Sequence, residues 1–427
     1  MSKLHFLIYG TIIIGIFAVI YWFFPREWSL WLIRTDQLFN GTRLQFLGLF
    51  IFGAVLFVIF PLLYGISFLA SFGNVKFPKG SENFFPNLSI IIPALNEAKI
   101  IGETLKSFIL SKYPKDKLEL LVVVSGSTDE TEEICLKYQD QLNIKILNDP
   151  QPKKGKPAAL NIGLKYASYD IICIYDADNH IREDTLQNLV RPLYNPEIDA
   201  VQGAITLRNL KDNLMTKALL LDYTYLVGAG TFHQIRDRLG RGLWLLGRNY
   251  CIRKKVLEEF GGWKEDALTE DLHLSVQLAA SKKKIRHASK AICDEKAPTT
   301  WIAYKKQRQR WVAGYRQDME AAMELDKRYV IRRNLTMLHY GHKSDFALAS
   351  LVPALIFGLI MKDFFLMVIC LTFFGFCFGI SVNSLRKYGN GHYRYLLLYP
   401  LYAILVFYMF TCQFKKWEQF QWDKTEK

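Results

Sequence analysis

The stretch Asp170-Ile171-Ile172-Cys173-Ile174-Tyr175-Asp176-Ala177-Asp178 decides how this chain is read. A run of apolar and aromatic residues, short enough for one buried strand, stops at two carboxylates separated by one small residue. On extended backbone, side chains at i and i+2 point the same way, so Asp176 and Asp178 are expected to face one pocket while Ala177 turns aside. Two carboxylates at the carboxyl end of a buried strand suit a divalent cation and, through it, the diphosphate of a nucleotide. A plainer reading, a solvated strand end followed by a turn, fits the tripeptide equally well until its surroundings are read.

Those surroundings alternate strand and helix from about residue 82 to residue 296. Leu88 to Ile92 reads as a strand ending at Pro93, followed by a helix from about Glu97 to Leu110. Leu118 to Val124 is a second strand, and Ser127-Thr128-Asp129-Glu130 opens the next helix with cap-forming residues. Asn143 to Leu147, a helix from about Pro157 to Ala167, and the strand at 170 complete an order that predicts an α/β domain with a mostly parallel sheet. Ligands of such sheets bind outside the carboxyl ends of the strands. Three of those ends carry distinctive loops: Pro93-Ala94-Leu95-Asn96-Glu97, Ser125-Gly126-Ser127-Thr128-Asp129 and Asp176-Ala177-Asp178.

Outside this domain the chain is apolar. Of 427 residues 51% are hydrophobic, and they concentrate at 5–24, 46–71, 346–361, 364–384 and 395–413. Most of these segments approach or exceed the ~20 residues that cross a ~30 Å hydrocarbon layer. Five buried core helices would demand a far larger soluble body around them. The expectation is therefore a multi-pass membrane protein: two helices with a connecting loop in 1–74, the alternating domain in 82–296, interfacial amphipathic helices in 297–343, about three crossings in 344–414 and a basic tail in 415–427. A plasma-membrane location with the middle domain in the cytoplasm is the expectation that goes with it. Lys415, Lys416, Lys424 and Lys427 would then lie outside, against the positive-inside tendency, unless one C-terminal segment is re-entrant or interfacial.

The formal net charge of +14 raises nucleic acid as a partner, but the charges are placed otherwise. Lys305, Lys306, Arg308, Arg310, Arg316, Lys327, Arg328, Arg332 and Arg333 lie just ahead of an apolar segment, which suits anionic headgroups of a lipid bilayer. No zinc-finger or RNA-recognition pattern accompanies them, so no nucleic-acid partner is expected. The seven cysteines include no Cys-x-x-Cys and are expected to be reduced and packed.

With these features in place, the chain resembles the membrane-embedded family 2 glycosyltransferases, the branch that includes cellulose, hyaluronan, chitin and poly-N-acetylglucosamine synthases. Four motifs carry the resemblance. Asp176-Ala177-Asp178 is similar to the family's Asp-x-Asp, which implies that Asp178 binds Mg²⁺ or Mn²⁺ on the donor's diphosphate and that Asp176 contacts the nucleotide sugar. Thr269-Glu270-Asp271 resembles its Thr-Glu-Asp, whose aspartate is the general base, with Glu270 beside it. Gln307-Arg308-Gln309-Arg310-Trp311 fits Gln-x-x-Arg-Trp, and Lys154-Gly155-Lys156-Pro157-Ala158-Ala159-Leu160-Asn161 fits the Gly-Lys loop that approaches the donor. The resemblance implies a GT-A catalytic domain between flanking membrane helices, a nucleotide-sugar donor of the UDP-sugar class, and a growing glycan or lipid as acceptor. Accessory subunits are not specified by it.

The chemistry can be argued beside the resemblance. Moving a sugar from a nucleoside diphosphate to a hydroxyl needs charge neutralised on the leaving phosphate and a base for the acceptor's proton. Asp178 with its metal, Lys156, Arg310 and Gln307 would meet the first need, and Asp271 the second. Glu270 directly precedes Asp271, and crowded carboxylates raise one pKa, which improves a weak base. The bland alternative makes Thr269 a helix cap with the two acids complementing the dipole. Trp311 offers a flat face for an acceptor sugar, or an interfacial anchor in the series Trp301, Tyr304, Trp311, Tyr315. Gly247-Arg248-Asn249-Tyr250-Cys251 resembles the loop flooring the acceptor pocket, or is a surface turn led by Gly247. Gly261-Gly262-Trp263 reads equally as a helix stop.

The carboxyl end of the second strand departs from the family, which places an aspartate there; this chain has Ser125. A hydroxyl still bonds a base or ribose, as Pro93 and Glu97 on the neighbouring loop would also contact the donor, but it brings no charge. Uridine selectivity is the property this bears on. His339 and His342 stand at i, i+3 without a third ligand, and Asn40-Gly41-Thr42 is a glycosylation sequon in the first connecting loop. The reading that follows is an inverting, metal-dependent glycosyltransferase building a β-linked polysaccharide at the membrane, with export as a further expectation. Two alternatives remain: a glycolipid synthase adding one sugar per lipid, and a membrane nucleotide-binding protein with a retired active site.

Overall fold

The computed structural model describes residues 60–149, 155–325 and 364–412. In chain order the labelled elements are α1 (Phe60–Phe72), β1 (Leu88–Ala94), α2 (Ile101–Leu110), β2 (Leu118–Val124), α3 (Thr131–Leu136), β3 (Ile144–Asn148), α4 (Lys156–Tyr166), β4 (Ile171–Ile174), β5 (His180–Ile181), α5 (Thr185–Val190), β6 (Ala200–Leu207), α6 (Leu214–Asp222), α7 (Thr231–Arg238), β7 (Tyr250–Arg253), α8 (Lys254–Glu259), α9 (Glu270–Ala280), β8 (Ile285–Glu295), α10 (Trp301–Leu325), α11 (Phe364–Tyr388) and α12 (Tyr399–Cys412). A π-helical turn, Tyr223–Val227, continues α6. The chain divides into two compact units, Met1–Ala70 with Ala347–Ile380, and Ser71–Phe346 with Ser381–Lys427.

In the first unit, Phe68 meets the ring of Phe376 at 5.8 Å. A Cβ added to Gly379 would fall 2.4 Å from the Phe68 ring, so the glycine is what lets α11 approach α1. Among the described residues no helix is both long and apolar enough to cross a membrane. The expected apolar segments 5–24 and 346–361, and most of 46–71, lie outside the described residues, as do the sequon at Asn40, His339 and His342, and the basic tail.

The second unit holds an eight-stranded sheet of order β3-β2-β1-β4-β7-β6-β8-β5. β3, β2, β1 and β4 run parallel. β7 is antiparallel to both β4 and β6, β6 is parallel to β8, and β5 is antiparallel to β8. The sheet is thus mixed, with its parallel half on the amino-terminal side. Every residue of β2 is buried, the mark of a central strand covered on both faces, and its bounds are those the sequence predicts. Apolar clusters pack on the two faces, one around Ile90, Phe108 and Leu120, the other around Ile91, Leu160 and Leu278.

Two helices start later than the cap-forming residues suggest. The loop after β1 is sewn to the loop after β2: Asn96 N–H donates to Ser127 Oγ (3.0 Å), Glu97 N–H to Thr131 Oγ1 (2.9 Å), Ala98 N–H to Asp129 Oδ2 (3.0 Å) and Thr128 N–H to Asn96 Oδ1 (2.8 Å). Polar side chains that look like caps are spent on this inter-loop lacing, so α2 begins at Ile101 and α3 at Thr131. Asn96, at φ 53°, adopts the left-handed turn that asparagine tolerates. Gly261 and Gly262 stop α8 as expected, with φ 72° and 86° and the Gly262 N–H donating to Leu257 O at 2.8 Å. The five cysteines whose side chains are described, Cys135, Cys173, Cys251, Cys293 and Cys377, are free and buried.

Candidate active site

The carboxyl edge of the parallel half gathers the charged groups. β4 ends at Ile174, earlier than the extended reading of the Asp-x-Asp stretch requires. Asp176 to Asn179 form a turn closed by Asn179 N–H donating to Asp176 O (3.0 Å), while the Asn179 side-chain oxygen accepts from Asp176 N–H (2.9 Å). The expectation that Asp176 and Asp178 share a strand face is therefore corrected: the asparagine bends the chain between them. Asp176 Oδ1 pairs with Lys156 Nζ at 2.7 Å. Asp178 is 5% exposed and lies beside Asn179 and Cys293, whose thiol is pushed up first by burial and then by Asp294, Glu295 and Asp178.

Lys156 is the hub. As the first residue of α4, following Gly155 at φ 76°, it reaches Asp176, Glu270 Oε1 (3.1 Å) and Gly247 O (2.9 Å). Burial would discharge the ammonium, but Asp176 and Glu270 more than offset this and hold it charged. One cation thereby ties the Asp-x-Asp turn to the Thr-Glu-Asp helix start, residues 94 apart in sequence. Gly247 adopts φ 64°, a backbone conformation that strains any L side chain, and its Cβ would sit tightly, 3.2 Å from Asp271 Oδ2 and 3.4 Å from Lys156 Nζ.

Asp271 opens α9 next to Glu270. Its surface is partly open, yet the dense surroundings and the Glu270 carboxylate raise its pKa to about 7, against the pull of Lys156. It is a carboxylate poised to exchange a proton near neutrality. The simple cap reading of Thr269 fails, because the residue holds the N-cap position without a side-chain cap bond. Its hydroxyl instead donates to Asp318 Oδ2 on α10 (3.1 Å), and His273 Nδ1 meets Asp318 Oδ1 at 2.9 Å.

α10 lies across this helix start. Arg310 Nη1 donates to Leu268 O (3.4 Å), Leu268 N–H to Gln317 Oε1 (2.9 Å), and a Cβ on Gly314 would collide with Thr269 Oγ1 at 2.2 Å. Positions 310, 314, 317 and 318 form one helical face, so the Gln-x-x-Arg-Trp helix is seated on the Thr-Glu-Asp turn. Asp318→Ala removes the acceptor of both Thr269 and His273. We expect turnover to fall about tenfold with donor affinity unchanged, since a loosened α9 start misplaces Asp271, which steady-state kinetics beside donor titration will read.

Gln307 is buried and its Oε1 has no partner among the described residues. One face of Trp311 is covered by the Arg308 guanidinium, 4.4 Å from the ring centroid. Arg308 itself departs from the headgroup expectation. It is fully buried and donates from Nη2 to Asp222 Oδ2 (2.9 Å), while Lys305 and Lys306 are exposed. Tyr304 is buried, its hydroxyl on Leu405 O (2.9 Å), and Trp301 stacks on it at 5.6 Å.

Pro93 lies near the end of β1, and Glu97 in the laced loop beyond it. Ser125 is buried just past β2, its N–H on Ala94 O (2.9 Å) and its hydroxyl without a partner among the described residues. One strand over, Asp149 is buried just past β3 and donates its N–H to Val124 O (3.0 Å). A carboxylate thus stands at this edge beside Ser125, at a position sequence reading passed over. In the loop that resembles the acceptor floor, Arg248 is buried and paired with Glu295 (Nη2 to Oε1, 2.8 Å), and the Asn249 side chain bonds Tyr175, Ala204 and Ala291. The segment after Gly247 is therefore interior and not a surface turn. Among the described residues no group of three or more His, Cys, Asp or Glu is arranged to hold a metal alone. A cation brought in on donor phosphate oxygens would need only one or two protein carboxylates, a role Asp178 would fill, as Mg²⁺ is commonly bound.

The family model described as glycosyltransferase like family 2 matches residues 86–314. A probable glycosyltransferase of Bacillus subtilis, YdaM, is 33% identical over 286 residues, 64% of this chain and 66% of that protein. A beta-monoglucosyldiacylglycerol synthase of Nostoc sp. is 30% identical over 56% of this chain and 51% of its own length. A poly-beta-1,6-N-acetyl-D-glucosamine synthase of Staphylococcus epidermidis is 27% identical over 62% and 63%. The chain thus spans between 51% and 66% of these relatives. A mannosyltransferase from Pyrobaculum calidifontis, solved with GDP-Man and Mn²⁺, superposes with a TM-score of 0.56 at 22% identity, covering 86% of this chain and 98% of that one, a likeness of fold.

Proposed function

The chain belongs to the glycosyltransferase family 2, and from that premise we propose that it is an inverting, metal-dependent enzyme that moves sugar from a nucleotide donor, a UDP-sugar, onto a growing β-linked glycan at a membrane. The observation that carries this reading is the Lys156 bridge, which draws Asp176, Glu270 and Asp271 into one charged cluster on the carboxyl edge of a GT-A-like mixed sheet. Asp271 takes the proton of the acceptor hydroxyl as its oxygen attacks the anomeric carbon. The bond to the diphosphate breaks on the opposite face, and the pair of electrons leaves on the phosphate oxygen. A bound Mg²⁺ or Mn²⁺ supplies Lewis-acid neutralisation of that leaving charge, with Asp178 as its protein ligand. Lys156, Arg310 and Gln307 bind the donor phosphates, Ser125 with Asp149, Pro93 and Glu97 the nucleoside side, and Trp311 the acceptor.

The protein is proposed to sit in the plasma membrane, with this domain in the cytoplasm and the apolar segments at 5–24, 46–71 and 346–361 anchoring it; the described helices that cover 364–384 and 395–412 are not long and apolar enough to cross, which corrects the expectation for those two segments. A second reading, transfer of a single sugar to a lipid, is favoured by the likeness to the glucosyldiacylglycerol synthase. The test is purified protein in lipid, given a panel of labelled nucleotide sugars with Mg²⁺, Mn²⁺ or chelator. A polymer ladder supports the first reading and a single glycolipid band the second; no transfer from any donor would refute both. Asp178→Ala should abolish the metal's enhancement of donor binding, read by titration calorimetry, and an unaltered metal response removes Asp178 from that role.

A further inference from the structure

Arg208 follows β6, and its backbone N–H donates to Glu295 O at the end of β8 (3.0 Å). Its Nη1 donates to Glu103 Oε2 at 2.6 Å. That leaves Nε and Nη2, the two parallel N–H groups along one edge of the guanidinium. Both are shielded from solvent, and among the described residues neither has a hydrogen-bond partner. On the other side of β8, β5 sets His180 opposite Asp294, and His180 Nε2 is likewise shielded and without a partner. The carboxylate nearest to hand is already taken, because Asp294 receives Arg182 Nε and Nη2 at 2.9 and 3.0 Å. Burying such donors unsatisfied is costly, and a native fold keeps them where something else completes the set.

The edge formed by Nε and Nη2 is the one that receives two oxygens of a carboxylate or phosphate side by side. Glu103 is engaged by Arg208 Nη1, Asp294 by Arg182, and Lys296 adds positive charge near Glu103, so the surroundings do not repel an anion. Arg208 keeps 20% of its side-chain surface in solvent, while Nε and Nη2 themselves are covered. His180 lies two residues beyond Asp178 and Arg208 abuts Glu295, the partner of Arg248, so the pair stands beside the charged cluster of the active site. We propose that Arg208 and His180 form an acceptor subsite that takes an oxyanion carried by the acceptor, a phosphate or a carboxylate. This rests on the sugar-transfer reading and narrows the acceptor to an anionic one.

Two measurements on the full-length protein in lipid test it. In the first, transfer is compared between paired acceptors: diacylglycerol against phosphatidylglycerol, which carries an anionic phosphate and free hydroxyls, for the phosphate source, and a neutral oligosaccharide against its uronate counterpart for the carboxylate source. The anionic member of one pair should lead by at least about tenfold in kcat/KM, and Arg208→Lys, which keeps the charge facing Glu103 but loses the paired edge, should bring the ratio toward one. Equal use of both members by the native enzyme, or a preference that survives Arg208→Lys, overturns the subsite. In the second, inorganic phosphate is titrated with UDP and Mg²⁺ present, and Arg208→Lys should weaken binding about tenfold. An unchanged affinity overturns the subsite even if no acceptor is turned over, whereas intact phosphate binding without transfer to any acceptor counts against the transfer reading alone.

Discussion

Asp271→Asn should abolish sugar transfer, lowering kcat by about 10²–10⁴, while the donor still binds. The amide keeps the shape of the carboxylate but has no lone pair basic enough to take a hydroxyl proton. Donor binding survives because the groups that would hold phosphate, Lys156 and Arg310, are untouched. In the native enzyme, activity should decline below about pH 7 as Asp271 becomes protonated, one proton per site, and this limb should vanish from the residual activity of the variant. The same shift predicts an opposite effect on stability. A carboxyl raised to about 7 in the folded state stabilises the fold below its unfolded pKa near 4 and loses that contribution as pH rises through 7. Three units of displacement correspond to an order of 4 kcal/mol. Asp271→Asn should therefore unfold at a higher temperature than the native protein at pH 8, and an enzyme both inactive and less stable there would refute the assignment of strain to this carboxylate.

Asp222→Ala is the second large effect, and it falls on the fold. Arg308 has no exposed side-chain surface, and Asp222 Oδ2 is the hydrogen-bond acceptor the structure shows for it, with Tyr304 and Trp311 stacked at 5.0 and 4.4 Å. Burial pushes the Asp222 carboxyl up, and the guanidinium pulls it back. Removing the carboxylate strands a cation in the interior, at a cost of about 3–5 kcal/mol. The melting temperature should drop by roughly 10 °C. The double variant Asp222→Leu with Arg308→Met, which removes both charges and fills the volume, should recover most of the loss. If the single and double variants melt together, the pair is not what seats α10.

How far the sequence reached depends on the kind of signal. β2 was legible to the residue because an all-buried parallel strand is written as an unbroken apolar run, Leu118 to Val124. Lys156, Asp176, Glu270 and Asp271 were legible because each sits in a short motif, and the structure brings these four together. What escaped are single side chains whose partners lie far along the chain: Arg248 with Glu295, Arg308 with Asp222, Thr269 and His273 with Asp318. No local pattern announces a pair separated by dozens of residues. The Asp176–Asn179 turn was misread for a related reason, since Asn179 folds its amide back on Asp176 N–H, a choice that strand periodicity does not encode. Ser127 and Asp129 looked like caps because the chemistry that closes a helix also laces two loops.

Gly314 carries a last consequence. With only a hydrogen there, α10 presses on Thr269 so closely that even a methyl group would not fit. Together with Asp318 and Gln317 this seats the basic helix directly on the turn that carries Asp271. Under the proposed roles, a displacement of Arg310 would therefore be felt at Asp271, linking release of the nucleotide to the state of the base.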